Sequence, residues 1–132
     1  MNSDITELIP QRAPFIFVDT IFDVEENALK SNWLIPADSS LVQNNELQES
    51  GLMEHVAQSM AAYIGYCSNG EIKIGVIGAI KHFVIYQKPQ AGDTLYTSIT
   101  ILGRVFTTIL FRAEIRLGNI LLAEGEMKVT VP

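Results

Sequence analysis

Apolar and polar residues alternate along most of this chain, and one stretch breaks the rhythm. In residues 106–117, Thr107, Ile109, Phe111, Ala113, Ile115 and Leu117 fall on one face, with Thr108, Leu110, Arg112, Glu114 and Arg116 on the other. A period of two is the signature of a half-buried strand. Residues 120–131 repeat it, with Leu121, Ala123, Gly125, Met127, Val129 and Val131 facing in and Glu124, Glu126 and Lys128 facing out. Gly118-Asn119 between them is a two-residue hairpin turn. The outward charges read as a solvated sheet face on which Arg112 and Arg116 can pair across strands. Upstream, the β-branched and aromatic run 15–24 reads as a strand, 25–27 as a turn and 28–35 as its hairpin partner. Residues 36–45 form a polar loop, 89–93 and 103–104 read as turns, and 94–102 as a strand. Residues 72–86 are apolar on both parities, which predicts a strand covered on both sides, by the helix on one and a second subunit on the other.

The break in rhythm is 46–66, the one long helical stretch. Leu52, Val56, Met60 and Ile64 make it apolar, and Ala57, Ala61, Ala62 and Gly65 keep it thin. Asn44, Asn45 and Ser50 are candidate N-caps, Glu46 and Glu49 suit the positive end of the dipole, and Asn69 or Gly70 suits a left-handed C-terminal cap. Earlier still, Ser3 or Asp4 caps a short turn leading to Leu8, and Pro10 and Pro14 bracket a rigid loop. The order strand, strand, helix and then about four strands implies an α+β layer arrangement, one helix against a curved antiparallel sheet of about five to six strands. A sheet can wrap a helix closely where helix side chains are small.

Composition narrows the functional classes. The 132 residues are one domain's worth of chain, 48% hydrophobic but only 18% charged, so part of the surface is expected to lie against another subunit. A net charge of −6 argues against nucleic acid as a partner. No apolar run is long enough to span a membrane, and the N-terminus lacks the basic and apolar regions of a signal peptide. Cys67 is the only cysteine, which excludes an internal disulfide, fits a reducing, cytoplasmic setting and reads as a packing residue.

The candidate chemistry sits on the helix. Glu54 and Gln58 are four residues apart and share a face, while His55 projects elsewhere. Glu54 lies among Leu52, Met53 and Val56, where desolvation favours the protonated carboxyl and suits it to proton transfer. The spacing is equally compatible with an exposed glutamate complementing the dipole. His82, on the parity of Ile80 and Val84, reads first as a satisfied interior or interface histidine and second as a catalytic imidazole. Two histidines and one cysteine have no metal-ligand spacing, and no phosphate loop or nucleophile elbow is present, so neither metal nor cofactor is expected.

Three segments resemble the hotdog-fold 3-hydroxyacyl-[acyl-carrier-protein] dehydratases. Leu8-Ile9-Pro10-Gln11-Arg12-Ala13-Pro14-Phe15-Ile16-Phe17-Val18-Asp19 is similar to the family's opening Pro-His-Arg-x-Pro-Phe…Val-Asp. Leu52-Met53-Glu54-His55-Val56-Ala57-Gln58 is similar to its apolar-x-Glu-x-x-Ala-Gln helix. Ala79-Ile80-Lys81-His82-Phe83 and Pro89-Gln90-Ala91-Gly92-Asp93-Thr94-Leu95 are similar to its lysine-x-phenylalanine and proline-x-x-glycine-aspartate-x-leucine region. The resemblance implies a hotdog fold, a homodimer with sites at the subunit interface, and an acyl thioester on a carrier protein or coenzyme A as substrate. It implies Glu54 as the catalytic carboxylate and Gln58 as its support. Backbone N–H groups at Glu49, Ser50 and Gly51 would bind the thioester carbonyl.

One departure is plain. The family's histidine before the helix is absent from residues 36–45, and Gln11 replaces the histidine of the opening motif. The second proton-carrying group would then be His55, His82, Asp38 or water, with His55 able to serve Glu54 of a dimer mate. This pattern resembles the divergent dehydratase-like proteins of aryl-polyene and flexirubin pigment clusters. An acyl-thioester hydrolase and a non-catalytic acyl-binding partner subunit of a hotdog heterodimer are the alternatives on the same fold. Docking an acidic carrier protein would call on Arg12, Lys81, Lys88 and Arg104.

Overall fold

The computed structural model describes residues 4–69, 71 and 76–131. Ser3, Gly70 and residues 72–75, to which the sequence assigns a cap, a cap and a strand start, lie outside them. A short 3-10 helix, Ile5–Glu7, opens the chain, its N–H of Thr6 accepted by the Asp4 carboxylate at 2.9 Å. Then follow β1 Thr20–Phe22, β2 Ala28–Leu34, β3 Val42–Gln43, β4 Glu46–Leu47, α1 Glu49–Cys67, β5 Val76–Ile85, β6 Thr94–Val105, β7 Thr108–Leu117 and β8 Ile120–Thr130. Six strands form one antiparallel sheet in the order β1-β2-β6-β7-β8-β5, and β3-β4 is a separate small hairpin. This is the α+β layering that the sequence implies.

The strand faces follow the alternation. Phe111, Ala113 and Ile115 of β7 are buried, as are Ala123, Gly125, Met127 and Val129 of β8. Gly118 takes φ 58 in the tight turn between them. The 89–93 turn also forms: Gly92 has φ 91 and the Asp93 carboxylate accepts the Gln90 N–H at 2.8 Å. On the outer face Arg112 pairs with Glu124, while Arg116 reaches Glu114 of its own strand at 3.5 Å.

Irregularities account for the corrections. A register shift between Ile115 and Arg116 leaves Leu122, not Leu121, buried, because Ala123 and Leu121 pair with consecutive residues of β7. A second shift between Ile101 and Gly103 carries β6 past the expected turn to Val105, and the chain reverses at Phe106, φ 55. Asn44 and Asn45, φ 53 and 64, are not caps but the turn of the β3-β4 hairpin, the left-handed pair a type I′ turn requires. Gln48 occupies the N-cap position and makes no side-chain capping bond. Asn69 takes the left-handed conformation, φ 56, after the helix end.

α1 has two packing faces. Leu52, Val56, Met60, Tyr63 and Ile64 meet the sheet in a cluster with Trp33, Leu95, Ile99, Phe111 and Ile115. Ala62 packs instead against Leu8, Ile9 and Val18. At Gly65 a Cβ would collide with the Leu8 carbonyl oxygen. The smallest residues therefore admit the N-terminal segment rather than the sheet. Cys67 is exposed, not packed. β5 is an edge strand with Ile80 and Val84 exposed, so its expected double burial is absent in the isolated protomer. Phe83 closes down on Gly125 of β8, where any Cβ would strike it.

Candidate functional site

Residues 15–17 do not join the sheet, although their composition predicts a strand. Their backbone groups are claimed by side chains of α1. Gln58 Oε1 accepts the Phe17 N–H at 2.8 Å, and Gln58 Nε2 donates to the Phe15 carbonyl at 2.9 Å. The second Nε2 hydrogen goes to Glu54 Oε1 at 3.2 Å. The amide orientation is thus fixed at both ends, since only its oxygen can receive an N–H. Ser50, Glu54 and Gln58 lie along one face of α1, exposed, partly buried and buried in turn. The carboxylate sits where that face passes under the 15–17 segment and meets solvent.

His55 does not share this face. It is completely buried, and both ring nitrogens are engaged inside its own chain. Nδ1 lies 2.7 Å from the Phe17 carbonyl, which can only accept, so Nδ1 carries the proton. Nε2 then accepts from the Thr97 hydroxyl at 2.8 Å. The ring stacks on Trp33, centroids 5.8 Å apart and planes at 16°, and Phe17 meets Trp33 edge-on at 5.4 Å. Burial pushes the His55 pKa down to about 4, the bond to Phe17 only partly opposing it. The expectation that His55 could be received by a dimer mate is corrected by this burial. Thr97 and Trp33 were not singled out in the sequence. The signal was available: Thr97 falls on the inward parity of Leu95 and Ile99, where a hydroxyl requires a partner.

His82 lies apart from the helix residues. It is exposed on β5, at φ 51, within the register shift between Lys81 and Val84. It is not an interior histidine in this protomer. Among the described residues, neither imidazole hydrogen-bonds Glu54. At the helix start Glu49 and Ser50 are exposed and Gly51 is buried. The Gly51 N–H is taken by the Gln48 carbonyl at 2.9 Å, so it is not free for a substrate carbonyl. The N–H groups of Glu49 and Ser50 have no intrahelical acceptor. Asp38 is exposed and lines a recess of about 220 Å³ with Ala13, Pro14, Ile16, Pro36 and Ser39, directly beside the segment Gln58 holds. No group of three or more metal-ligating side chains converges among the described residues, and no helix among them is long and apolar enough to cross a membrane.

Comparison with known proteins places this chain in a family. The ApeP-like family, described as ApeP dehydratase, matches residues 3–132. A chain of the dehydratase heterocomplex ApeI:P from Xenorhabdus doucetiae superposes with a TM-score of 0.90 at 16% identity, covering 98% of this chain and 91% of that one. The conserved protein PA5202 from Pseudomonas aeruginosa gives 0.74 at 13% identity, covering 96% and 98%. A hypothetical thioesterase from Streptococcus pneumoniae, solved with coenzyme A, gives 0.65 at 14% identity, covering 85% and 84%. At these identities the structures establish the fold, a hotdog, with α1 as the helix its sheet curves around. No curated protein sequence matches. The match along residues 3–132, on a hotdog framework, shows that the chain belongs to the ApeP-like dehydratase family.

Proposed function

We propose that this chain is a dehydratase subunit that converts a 3-hydroxyacyl thioester, carried by an acyl carrier protein or coenzyme A, to the 2-enoyl thioester. The observation that carries the reading is Glu54: a carboxylate at the solvent edge of α1, oriented by Gln58, whose own amide is held by the backbone of Phe15 and Phe17. Elimination moves a proton from C2 and releases the C3 hydroxyl as water, and a positioned carboxylate can carry that proton. The free N–H groups of Glu49 and Ser50 supply the donors for the thioester carbonyl as charge builds on it. With His55 occupied in the core, the second proton-carrying group comes from Asp38, from His82 of a neighbouring subunit, from that subunit's own site, or from water. The likeness to a chain of a dehydratase heterocomplex supports a hotdog heterodimer as the working unit, and the open edge of β5 supports assembly there.

The test is turnover of a 3-hydroxyacyl-carrier protein, followed by mass, with and without a second hotdog subunit. Glu54→Gln should lower the rate by about 10²-fold or more, the scale of general acid–base catalysis. Equal rates for wild type and Glu54→Gln overturn the assignment. Release of free thiol in place of the enoyl product would make the chain a hydrolase. A second reading, a non-catalytic acyl-binding subunit, is favoured by the engagement of both His55 nitrogens in the core. It predicts turnover that requires the partner and survives Glu54→Gln.

A further inference from the structure

We propose that His55 is a positioning residue for Glu54: a neutral imidazole, protonated on Nδ1, that latches the 15–17 segment so that Gln58 can orient the carboxylate. This inference rests on the function proposed for Glu54 and extends it to a residue that never meets substrate. Phe17 is gripped at both of its backbone groups, its N–H by Gln58 at 2.8 Å and its carbonyl by His55 at 2.7 Å. Gln58 in turn spans from that segment to Glu54. If the segment withdraws, the Gln58 oxygen loses the N–H that dictates its orientation, and the amide no longer presents a hydrogen to the carboxylate. His55 is the only side chain besides Gln58 seen to hydrogen-bond the backbone of 15–17 among the described residues.

Three contacts hold the ring to this task. The Phe17 carbonyl keeps the proton on Nδ1 while the Thr97 hydroxyl donates to Nε2, Trp33 stacks on one face, and complete burial keeps the ring neutral. A protonated ring would leave Nε2–H facing a hydroxyl that must then turn to accept it. Adjacent residues on a helix diverge by about 100°. Glu54 therefore faces the substrate side while His55 faces the core, and the two communicate through Phe17 and Gln58 rather than by contact.

The experiment compares His55→Leu, His55→Asn and Thr97→Val in the assembled protein. His55→Leu keeps a similar apolar bulk but has no donor. His55→Asn places an amide N–H near the position of Nδ1. His55→Leu should lower kcat about ten- to hundredfold with KM within about twofold, the penalty of a misplaced catalytic group. It should also raise hydrogen exchange at the Phe17 amide about tenfold or more, from loss of the bond that holds its segment. His55→Asn should restore most of both, and Thr97→Val should show a smaller change in the same direction. Wild-type kcat and Phe17 exchange in folded His55→Leu would overturn the proposal. So would a loss of melting temperature in both His55 variants with kcat unchanged in the folded fraction. If His55→Leu does not fold, Thr97→Val decides by the same two readouts. If instead Glu54→Gln retains full turnover, the function fails while the exchange measurement still decides the latch.

Discussion

Acidification offers a direct test of the neutral, buried His55. An unfolded histidine titrates near 6.5, and in the folded chain burial lowers this to about 4. The folded state thus resists a proton that the unfolded state accepts. The stability associated with neutral His55 is fully present above pH 6.5 and is lost as pH falls toward 4. A difference of this size corresponds to about 3 kcal/mol over the whole window, of which about 2 kcal/mol is gone by pH 5. The assay is urea unfolding at pH 7 and pH 5, at one protein concentration because assembly also stabilises. Wild type should lose about 2 kcal/mol more than His55→Asn across the interval. Every other ionisable group is common to both proteins and cancels in the subtraction. Equal losses, within about 0.5 kcal/mol, would refute a neutral core imidazole and with it the assigned tautomer.

Two further substitutions probe the frame that positions the site. Gly65→Ala sets a methyl against the Leu8 carbonyl and should cost about 2–3 kcal/mol of unfolding free energy, since backbone cannot yield as a side chain can; a change below about 0.5 kcal/mol would show the N-terminal segment free to move aside. The Ser31 hydroxyl is 2.8 Å from Ser59, which donates to the His55 carbonyl, so Ser31 is the donor in their bond. Ser59→Ala should cost about 1–3 kcal/mol by stranding a buried hydroxyl, and adding Ser31→Ala should recover about 1 kcal/mol; strict additivity in the double-mutant cycle would contradict the pairing.

Much of this framework was legible in the chain. The helix stands at Glu49–Cys67 against an expected 46–66, β7 keeps Phe111, Ala113 and Ile115 inward, and β8 keeps Ala123, Gly125, Met127 and Val129 inward. The Glu54–Gln58 pairing follows from helix spacing alone. What failed did so for identifiable reasons. The run 15–19 is rich in strand-formers because Phe17 and Val18 are buried, but composition reports burial and not which groups satisfy the backbone. Here Gln58 and His55 take the place of a neighbouring strand, a partnership across about forty residues that no local pattern encodes. Leu121 and Leu122 differ only by a register shift, and one residue of slip exchanges the faces of a strand. The azimuth of His55 was readable, but not the Thr97 and Trp33 environment waiting for it.

The broken outline of β5 limits which strands could pair along this edge. A long straight edge invites any passing strand to zip along it. β5 has two register shifts within ten residues, a left-handed residue at His82, and Phe83 drawn down onto Gly125. A regular strand laid against it would fall out of step after a few bonds. Only a complementary edge, irregular at matching places, can pair along its length. The kinks therefore set a backbone condition on any strand that pairs here, one that side-chain substitutions on the surface would not easily change.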